Sequence, residues 1–280
     1  MRIETDGTMV TDTIDGALAA RRLAWRGAAL EDGSRSVAEE LPLVLSFNRI
    51  SHAVMLGSPI DLEDFAVGFS LADGVIERAE QILSFEAVRL GDPVRGIELR
   101  MTLSPDRLDA LDGRRRFIAG PSGCGLCGLD SLEAALRPVR QVAPGPIHAA
   151  STIAAAVGSL REAQALNRQT RAVHAAGFWR DADGLVLLRE DVGRHNALDK
   201  LHGGLARRGI AAASGIVVMT SRVSVELVQK AATMGAPVLA AISAPTSLAI
   251  ATAQEAGITL VAIARDDGFE IFTHPDRIAA

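Results

Sequence analysis

Tyrosine is absent from this chain, and aromatic side chains make up only 4% of its 280 residues. Stacking platforms of the kind that hold single-stranded nucleic acid have little to be built from. A net charge of -5 removes the basic surface that a phosphate backbone needs, so no nucleic-acid partner is expected. No apolar run approaches the ~20 residues that span a bilayer. Met1 to Ala20 carries Glu4, Asp6, Asp12 and Asp15, where a secretory signal would have a basic and then an apolar stretch. These absences predict a cytoplasmic chain with no membrane partner. Cysteine is scarce as well, with only Cys124 and Cys127. In a reducing compartment, two thiols at this spacing point to catalysis, redox chemistry or metal binding rather than to a structural disulfide.

The remaining composition is that of a folded protein, 48% hydrophobic and 22% charged, long enough for one large or two unequal domains. Residues 1–40 read as a poorly packed lead-in, with structure beginning near Leu41. Residues 41–142 read as a small α+β domain carrying the CxxC loop near its end. Its strands are Leu43 to Phe47, Ala53 to Leu56, Val88 to Leu90 and Ile97 to Leu103, with a helix from Asp61 to Ala72. Residues 143–280 read as a parallel α/β domain, entered at Ala143-Pro144-Gly145-Pro146, a linker or a turn. Helices are expected at Ser151 to Asn167 and Arg194 to Leu205. Strands Ile216 to Met219, Val238 to Ile242 and Thr259 to Ile263 then alternate with helices Val223 to Met234 and Leu248 to Ala256, closed by Gly235 and Gly257. That alternation implies a parallel sheet covered by helices.

Three stretches can carry chemistry. In Gly123-Cys124-Gly125-Leu126-Cys127-Gly128 one thiol can help stabilise the other as a thiolate, the attacking species in sulfur transfer and disulfide exchange. The flanking glycines permit positive φ and remove bulk, so the loop can present its sulfur to another protein. Arg114, Arg115 and Arg116 lie shortly upstream. A structural zinc would need about four ligands, which two cysteines and scattered histidines do not supply; a thioredoxin-type redox pair and two inert buried thiols compete with sulfur transfer as well. In Asp191-Val192-Gly193-Arg194-His195-Asn196-Ala197-Leu198-Asp199-Lys200, a turn at Gly193 with Asn196 as helix cap would leave Arg194 and His195 at a helix start, facing an anion, unless this is a capped surface helix with ordinary ion pairs.

The third stretch is a set of junctions. Thr220-Ser221-Arg222-Val223-Ser224, Ser243-Ala244-Pro245-Thr246-Ser247 and Ala264-Arg265-Asp266-Asp267-Gly268 each follow a strand of the parallel unit. All three fall at its carboxyl edge, where open α/β folds bind ligands. Arg222 and Arg265 there suggest a phosphorylated, nucleotide-bearing ligand; simple N-capping is the competing role for each junction. Deaminase chemistry is excluded, because His195-Asn196-Ala197 lacks the glutamate of H-x-E and the CxxC precedes it.

Together these residues resemble the formate dehydrogenase accessory sulfurtransferases (FdhD). The resemblance runs from about Leu41 to the C-terminus, through Pro59 to Phe69, Cys124 to Gly128, Asp191 to Lys200, Ser221 to Ser224, Ser243 to Ser247 and Phe272 to Ile278. It implies a cytidine-deaminase-like three-layer βαβ fold with a smaller α+β domain, commonly dimeric. It also implies a carrier that accepts persulfide sulfur from a cysteine desulfurase and passes it to the molybdenum bis-guanine-dinucleotide cofactor before insertion into formate dehydrogenase. By position, Cys124 matches the persulfide-bearing cysteine and Cys127 its assisting partner, with no structural zinc. Ile263, Ala264, Arg265, Asp266, Asp267 and Gly268 match the stretch contacting that bound substrate, which GDP-like nucleotides mimic. Arg222, Ser221, Arg194 and His195 complete the expected site. The family stretch reads closer to Gly-Phe-x-Arg-Gly; here it is Ala262-Ile263-Ala264-Arg265-Asp266, which keeps the arginine. A non-catalytic cofactor-binding chaperone with a redox or docking CxxC is the rival from another class.

Overall fold

A computed structural model describes residues 16–91, 95–108, 139–265 and 267–280. Cys124, Cys127 and Asp266, with Arg114 to Arg116, lie outside the described residues. Structure begins well before Leu41: β1 (Ala17–Arg26) and β2 (Ala29–Ala38) pair antiparallel as a hairpin through Gly27 at φ 65°. The expectation that structure begins near Leu41 is therefore corrected, while the residues of this hairpin remain largely exposed. The pattern hid the hairpin because both its faces are largely solvated, which leaves little hydrophobic alternation to read.

The next unit is a four-stranded sheet in the order β4-β3-β6-β5, from β3 (Leu41–Phe47), β4 (Ile50–Gly57), β5 (Ile82–Leu90) and β6 (Gly96–Leu103). Asn48 and Arg49, both at positive φ, make the tight β3–β4 turn, and the Asn48 side chain accepts a bond from the Leu103 amide. Helix α1 (Leu62–Ala72) covers one face, packing Phe65, Ala66 and Leu71 on Leu43, Leu45, Leu99 and Met101.

The second unit is a mixed six-stranded sheet in the order β13-β12-β11-β10-β8-β9. Its parallel centre is β10 (Ile216–Met219), β11 (Val238–Ala241) and β12 (Thr259–Arg265), as the alternation predicts. The antiparallel strands β8 (His174–Arg180), β9 (Gly184–Asp191) and β13 (Gly268–Ile271) extend it. A two-residue bridge of β7 (His148–Ala149) with β14 (Ile278–Ala279) ties the ends of this half together. On one face lies α2 (Ala150–Ala163), burying Ile153, Ala156 and Leu160 on Ile216, Val218, Val238 and Ala240. It breaks at Gln164, and α3 (Ala165–Thr170) follows as a separate turn of helix capped by the Glu190 carboxylate on the Leu166 and Asn167 amides. The other face carries α4 (Arg194–Arg207), α5 (Val225–Met234) and α6 (Ser247–Ala256), whose Leu198, Leu201, Leu227, Val228 and Ala253 meet Val217, Met219 and Leu239. The Pro-Gly-Pro stretch is irregular, largely exposed chain that touches the rest of the fold at Gly145, where a Cβ would come 2.3 Å from the Pro237 ring.

Helices α1 and α4 join the two sheets. A Cβ on Gly68 would lie 1.7 Å from the Asp199 carbonyl oxygen, and one on Gly203 1.9 Å from that of Asp64, so the backbones touch with no room for any side chain. Around the crossing Asp64 is buried and takes Arg189 and Arg207, each at 2.5 Å. Gly68→Ala would ordinarily gain about 1 kcal/mol of helix propensity. Here overpacking outweighs it, and urea unfolding is expected to show a net loss of about 2 kcal/mol or more; an unchanged midpoint would mean the crossing is looser than described.

Candidate functional site

The carboxyl ends of β10, β11 and β12 point the same way because the three strands are parallel. Their following turns are stitched side by side: the Val223 amide donates to Ala244 O at 3.2 Å, Thr246 to Val223 O at 2.9 Å and Ile263 to Ser243 O at 3.2 Å. Because β8 is antiparallel to β10, its first residue, His174, arrives at this edge, beside Thr220 at 3.5 Å. Strand β9 ends there at Asp191, opposite His174, and α4 departs from it. Three helices thus start on one edge, α4 at Arg194, α5 at Val225 and α6 at Ser247, with their unpaired amides directed towards it.

The Asp191 to Lys200 segment divides into a structural and a free part. Asp191 and Lys200 form an ion pair at 2.7 Å with both side chains fully buried. The carboxylate also accepts from Ser58 N at 3.0 Å, Gly193 N at 2.7 Å and Asn196 Nδ2 at 3.0 Å; the ammonium donates to Ser58 O at 3.0 Å and Glu190 O at 3.3 Å. Burial drives the Lys200 pKa down and Asp191 opposes it. Asn196 is not the helix cap that the spacing suggested. Gly193 holds that position, and Asn196 turns inward to the Leu56 carbonyl and Asp191. The helix is likewise no surface helix, since Asn196 to Leu205 are buried. What this scaffold leaves over is Arg194 and His195 in the first turn.

One turn beyond His195 stands Asp199, buried and held by Lys230 of α5 at 2.7 and 2.8 Å. Burial pushes the Asp199 carboxyl up, against the pull of Lys230. One turn before Lys230 stands Glu226, whose charge acts on His195. His195 Nε2, Ser224 Oγ and Glu226 Oε2 are shielded from solvent and have no hydrogen-bond partner among the described residues. Burial, then the positive charges of Arg194 and Lys230, lower the His195 pKa to about 4, so the ring is neutral at pH 7. His174 is lowered for the same first reason, burial, with Arg194 adding to it.

The junction residues have separate fates. Thr246 caps α6 through the Ala249 amide, the plain role, and Ser221 is buried with its hydroxyl donating to the Arg222 carbonyl. Arg222, Arg265, Asp267 and Gly268 are exposed. Arg194, Arg222 and Arg265 make no ion pair or side-chain hydrogen bond among the described residues, whereas Arg107, Arg189 and Arg207 are all paired. Ile263 sits at φ 53° where β12 loses register with β13 between Ala262 and Arg265. A β-branched residue in that region costs about 1–2 kcal/mol. The bulge leaves Ile263 and Ala264 out of the regular ladder, and pairing resumes at Arg265 opposite Gly268.

Sequence reasoning missed His174, Glu226 and Lys230. His174 needed the β8–β9 hairpin, and the carboxylate and amine read as ordinary helix-surface charge. Two hollows lie elsewhere, one of about 290 Å³ lined by Val67, Phe85 and Arg207 and one of about 440 Å³ beside Trp179 and Arg161. Neither touches the edge, and neither gathers helix starts and unpaired cations as the edge does. Among the described residues no cluster of three or more His, Cys, Asp or Glu stands ready for a metal ion.

Fold and edge together define an α/β protein whose parallel strands bring three helix starts and the exposed Arg222 and Arg265 to one carboxyl edge. The chain belongs to the FdhD/NarQ family, whose model matches residues 38–279. It is 53% identical over 259 residues to a protein of Agrobacterium fabrum described as sulfur carrier protein FdhD, covering 92% of this chain and 94% of that one. A protein of the same description from Bordetella bronchiseptica is 46% identical over 266 residues, 94% of this chain and 95% of that one. A crystal structure from Desulfotalea psychrophila, provisionally assigned as a formate dehydrogenase accessory protein, superposes with a TM-score of 0.68 at 26% identity, over 94% of this chain and 99% of that one.

His202, like His195, has its pKa lowered to about 4, chiefly by burial, with Lys230 adding to it. A histidine whose folded pKa lies below the ordinary ~6.5 takes up its proton more readily unfolded, so its stability contribution is complete above that value and lost towards pH 4. Denaturant midpoints should therefore fall as pH drops from 7 to 4, and fall less in His202→Leu. An equal fall in both proteins would show that His202 is not the group responsible.

Proposed function

We propose that this chain is a sulfur carrier for formate dehydrogenase maturation, taking persulfide sulfur from a cysteine desulfurase and passing it to the molybdenum of a bis-guanine-dinucleotide cofactor held at the carboxyl edge. The observation that carries the second half is the edge itself: in a chain of net charge -5, Arg194, Arg222 and Arg265 stand without carboxylate partners among the described residues, where three helices begin. Bidentate guanidinium and helix-start amides are the usual partners of nucleotide phosphates. Family membership and the relatives' description support the first half. In this reading residues 41–142 form the small α+β domain that bears the thiols, and residues 143–280 form a cytidine-deaminase-like three-layer domain. The protein works in the cytoplasm as a homodimer.

The chemistry balances in two steps. The Cys124 thiolate attacks the terminal sulfur of the donor persulfide, forming Cys124–S–SH and releasing the donor cysteine as its thiolate. The Cys127 thiolate then attacks Cys124 Sγ; a Cys124–Cys127 disulfide forms, hydrosulfide leaves for the bound substrate, and a cellular thiol reductant restores the pair. Arg222, Arg265 and Arg194 hold the guanine-nucleotide phosphates. Ile263, Ala264, Asp267 and Gly268 shape the turn beneath them, and neutral His195 orients the ligand through Nε2.

Incubation with a cysteine desulfurase and cysteine, followed by mass spectrometry, should place one added sulfur atom on Cys124 and none in Cys124→Ala; absence of the added sulfur in the unaltered protein would leave the chaperone role in its place. GDP binding should weaken by about tenfold in Arg222→Ala and in Arg265→Ala, each losing a charged hydrogen-bond donor. Unchanged affinity would remove both residues from the site.

A further inference from the structure

Glu226 is out of place on an edge built for anions. It stands in the first turn of α5, the helix whose start meets the three stitched turns, and a carboxylate there repels the phosphates that Arg222 and Arg265 attract. It does not serve to neutralise a neighbouring cation. Lys230, one turn on, is already taken by Asp199 at 2.7 and 2.8 Å, and Arg194 and Arg222 make no ion pair among the described residues. Its Oε2 is shielded from water and accepts no hydrogen bond among the described residues; Ser224 Oγ, two residues earlier, and His195 Nε2, on which the Glu226 charge acts, are in the same condition. A phosphate oxygen can satisfy the serine hydroxyl but not a carboxylate. A ligand that carries N–H or O–H donors next to its phosphates answers all of these groups at once.

Resting on the reading of the edge as a nucleotide-phosphate site, we propose that Glu226 is the specificity-determining residue of that site and reads the Watson–Crick edge of a guanine base. Guanine presents two adjacent donors, N1–H and the N2 amino group, spaced to meet the two oxygens of one carboxylate. Adenine presents the N1 lone pair in that position and is repelled. Hypoxanthine keeps N1–H and lacks the amino group. The expected order of affinity is GDP, then IDP, then ADP, with inorganic pyrophosphate gaining nothing from Glu226. Asp267 is the other described carboxylate among the edge turns, but it is exposed and lies among no shielded partnerless groups, so it is assigned no part in base reading.

The test is calorimetric titration of the full chain and its Glu226→Gln and Asp267→Asn variants with GDP, IDP, ADP and pyrophosphate. Glutamine keeps the shape but opposes an N–H to one guanine donor. GDP binding to Glu226→Gln should fall about ten- to hundredfold, to the level of ADP, as for the loss of charged hydrogen bonds. Pyrophosphate binding should hold or strengthen, because the variant removes a charge that repels phosphate and no phosphate contact. A Glu226→Gln protein that still prefers GDP to ADP overturns the inference. So does an equal loss of GDP and pyrophosphate binding, which would make Glu226 a structural residue, or a loss of preference in Asp267→Asn instead. If the unaltered chain binds neither GDP nor pyrophosphate, the nucleotide reading of the edge itself fails, and base reading with it.

Discussion

The ion pair between Asp191 and Lys200 is the interaction on which the geometry of the edge depends. Both side chains are fully buried, and removing one partner from such a pair commonly costs about 3–5 kcal/mol, because the other charge is left without compensation. Here the pair also fixes positions. The carboxylate gathers the amides of Ser58 and Gly193 and the Asn196 side chain, and the ammonium gathers the carbonyls of Ser58 and Glu190. The end of β9, the loop after β4 and the first turns of α4 are thereby tied in one place. Arg194 and His195 face the edge because everything around them in the segment faces inward.

From that knot the coupling of the two sheets follows. Helix α4 runs from Gly193 back to Gly203, where its backbone meets that of α1 with no side chain between them. The four-stranded sheet is therefore held at a set distance from the edge. Asp199 and Lys230 add the second rung between α4 and α5, so three helices from two units share one polar seam. Near the helix starts, shielded atoms of His195, Ser224 and Glu226 have no hydrogen-bond partner among the described residues.

The parallel centre of the large sheet was legible because short β-branched runs bounded by glycines at 235 and 257 leave little choice of period. The three carboxyl-edge turns followed from it. Strands β8 and β9 were not legible: Ala175, Ala176 and Gly177 pack without β-branched side chains, so nothing in that stretch reads as a strand, and His174 was lost with them. The Asp191 to Lys200 segment was recognised as a motif but misassigned in part, since spacing cannot tell a cap from a buried partner. Asn196 has the side chain of a cap and the position of a tie. Burial decides between the two, and burial is a property of the whole fold.

The proposed transfer of sulfur to a large anionic substrate needs a thiol in one place and a grip in another, and the proposal gives the edge the second part. The most direct measurement is a crystal structure of the chain with bound GDP. The diphosphate is predicted to lie at the starts of α5 and α6, within hydrogen-bonding distance of Arg222 and Arg265, with the base towards Glu226. Density for the nucleotide in the hollow beside Trp179, or anywhere away from the carboxyl edge, would contradict the account.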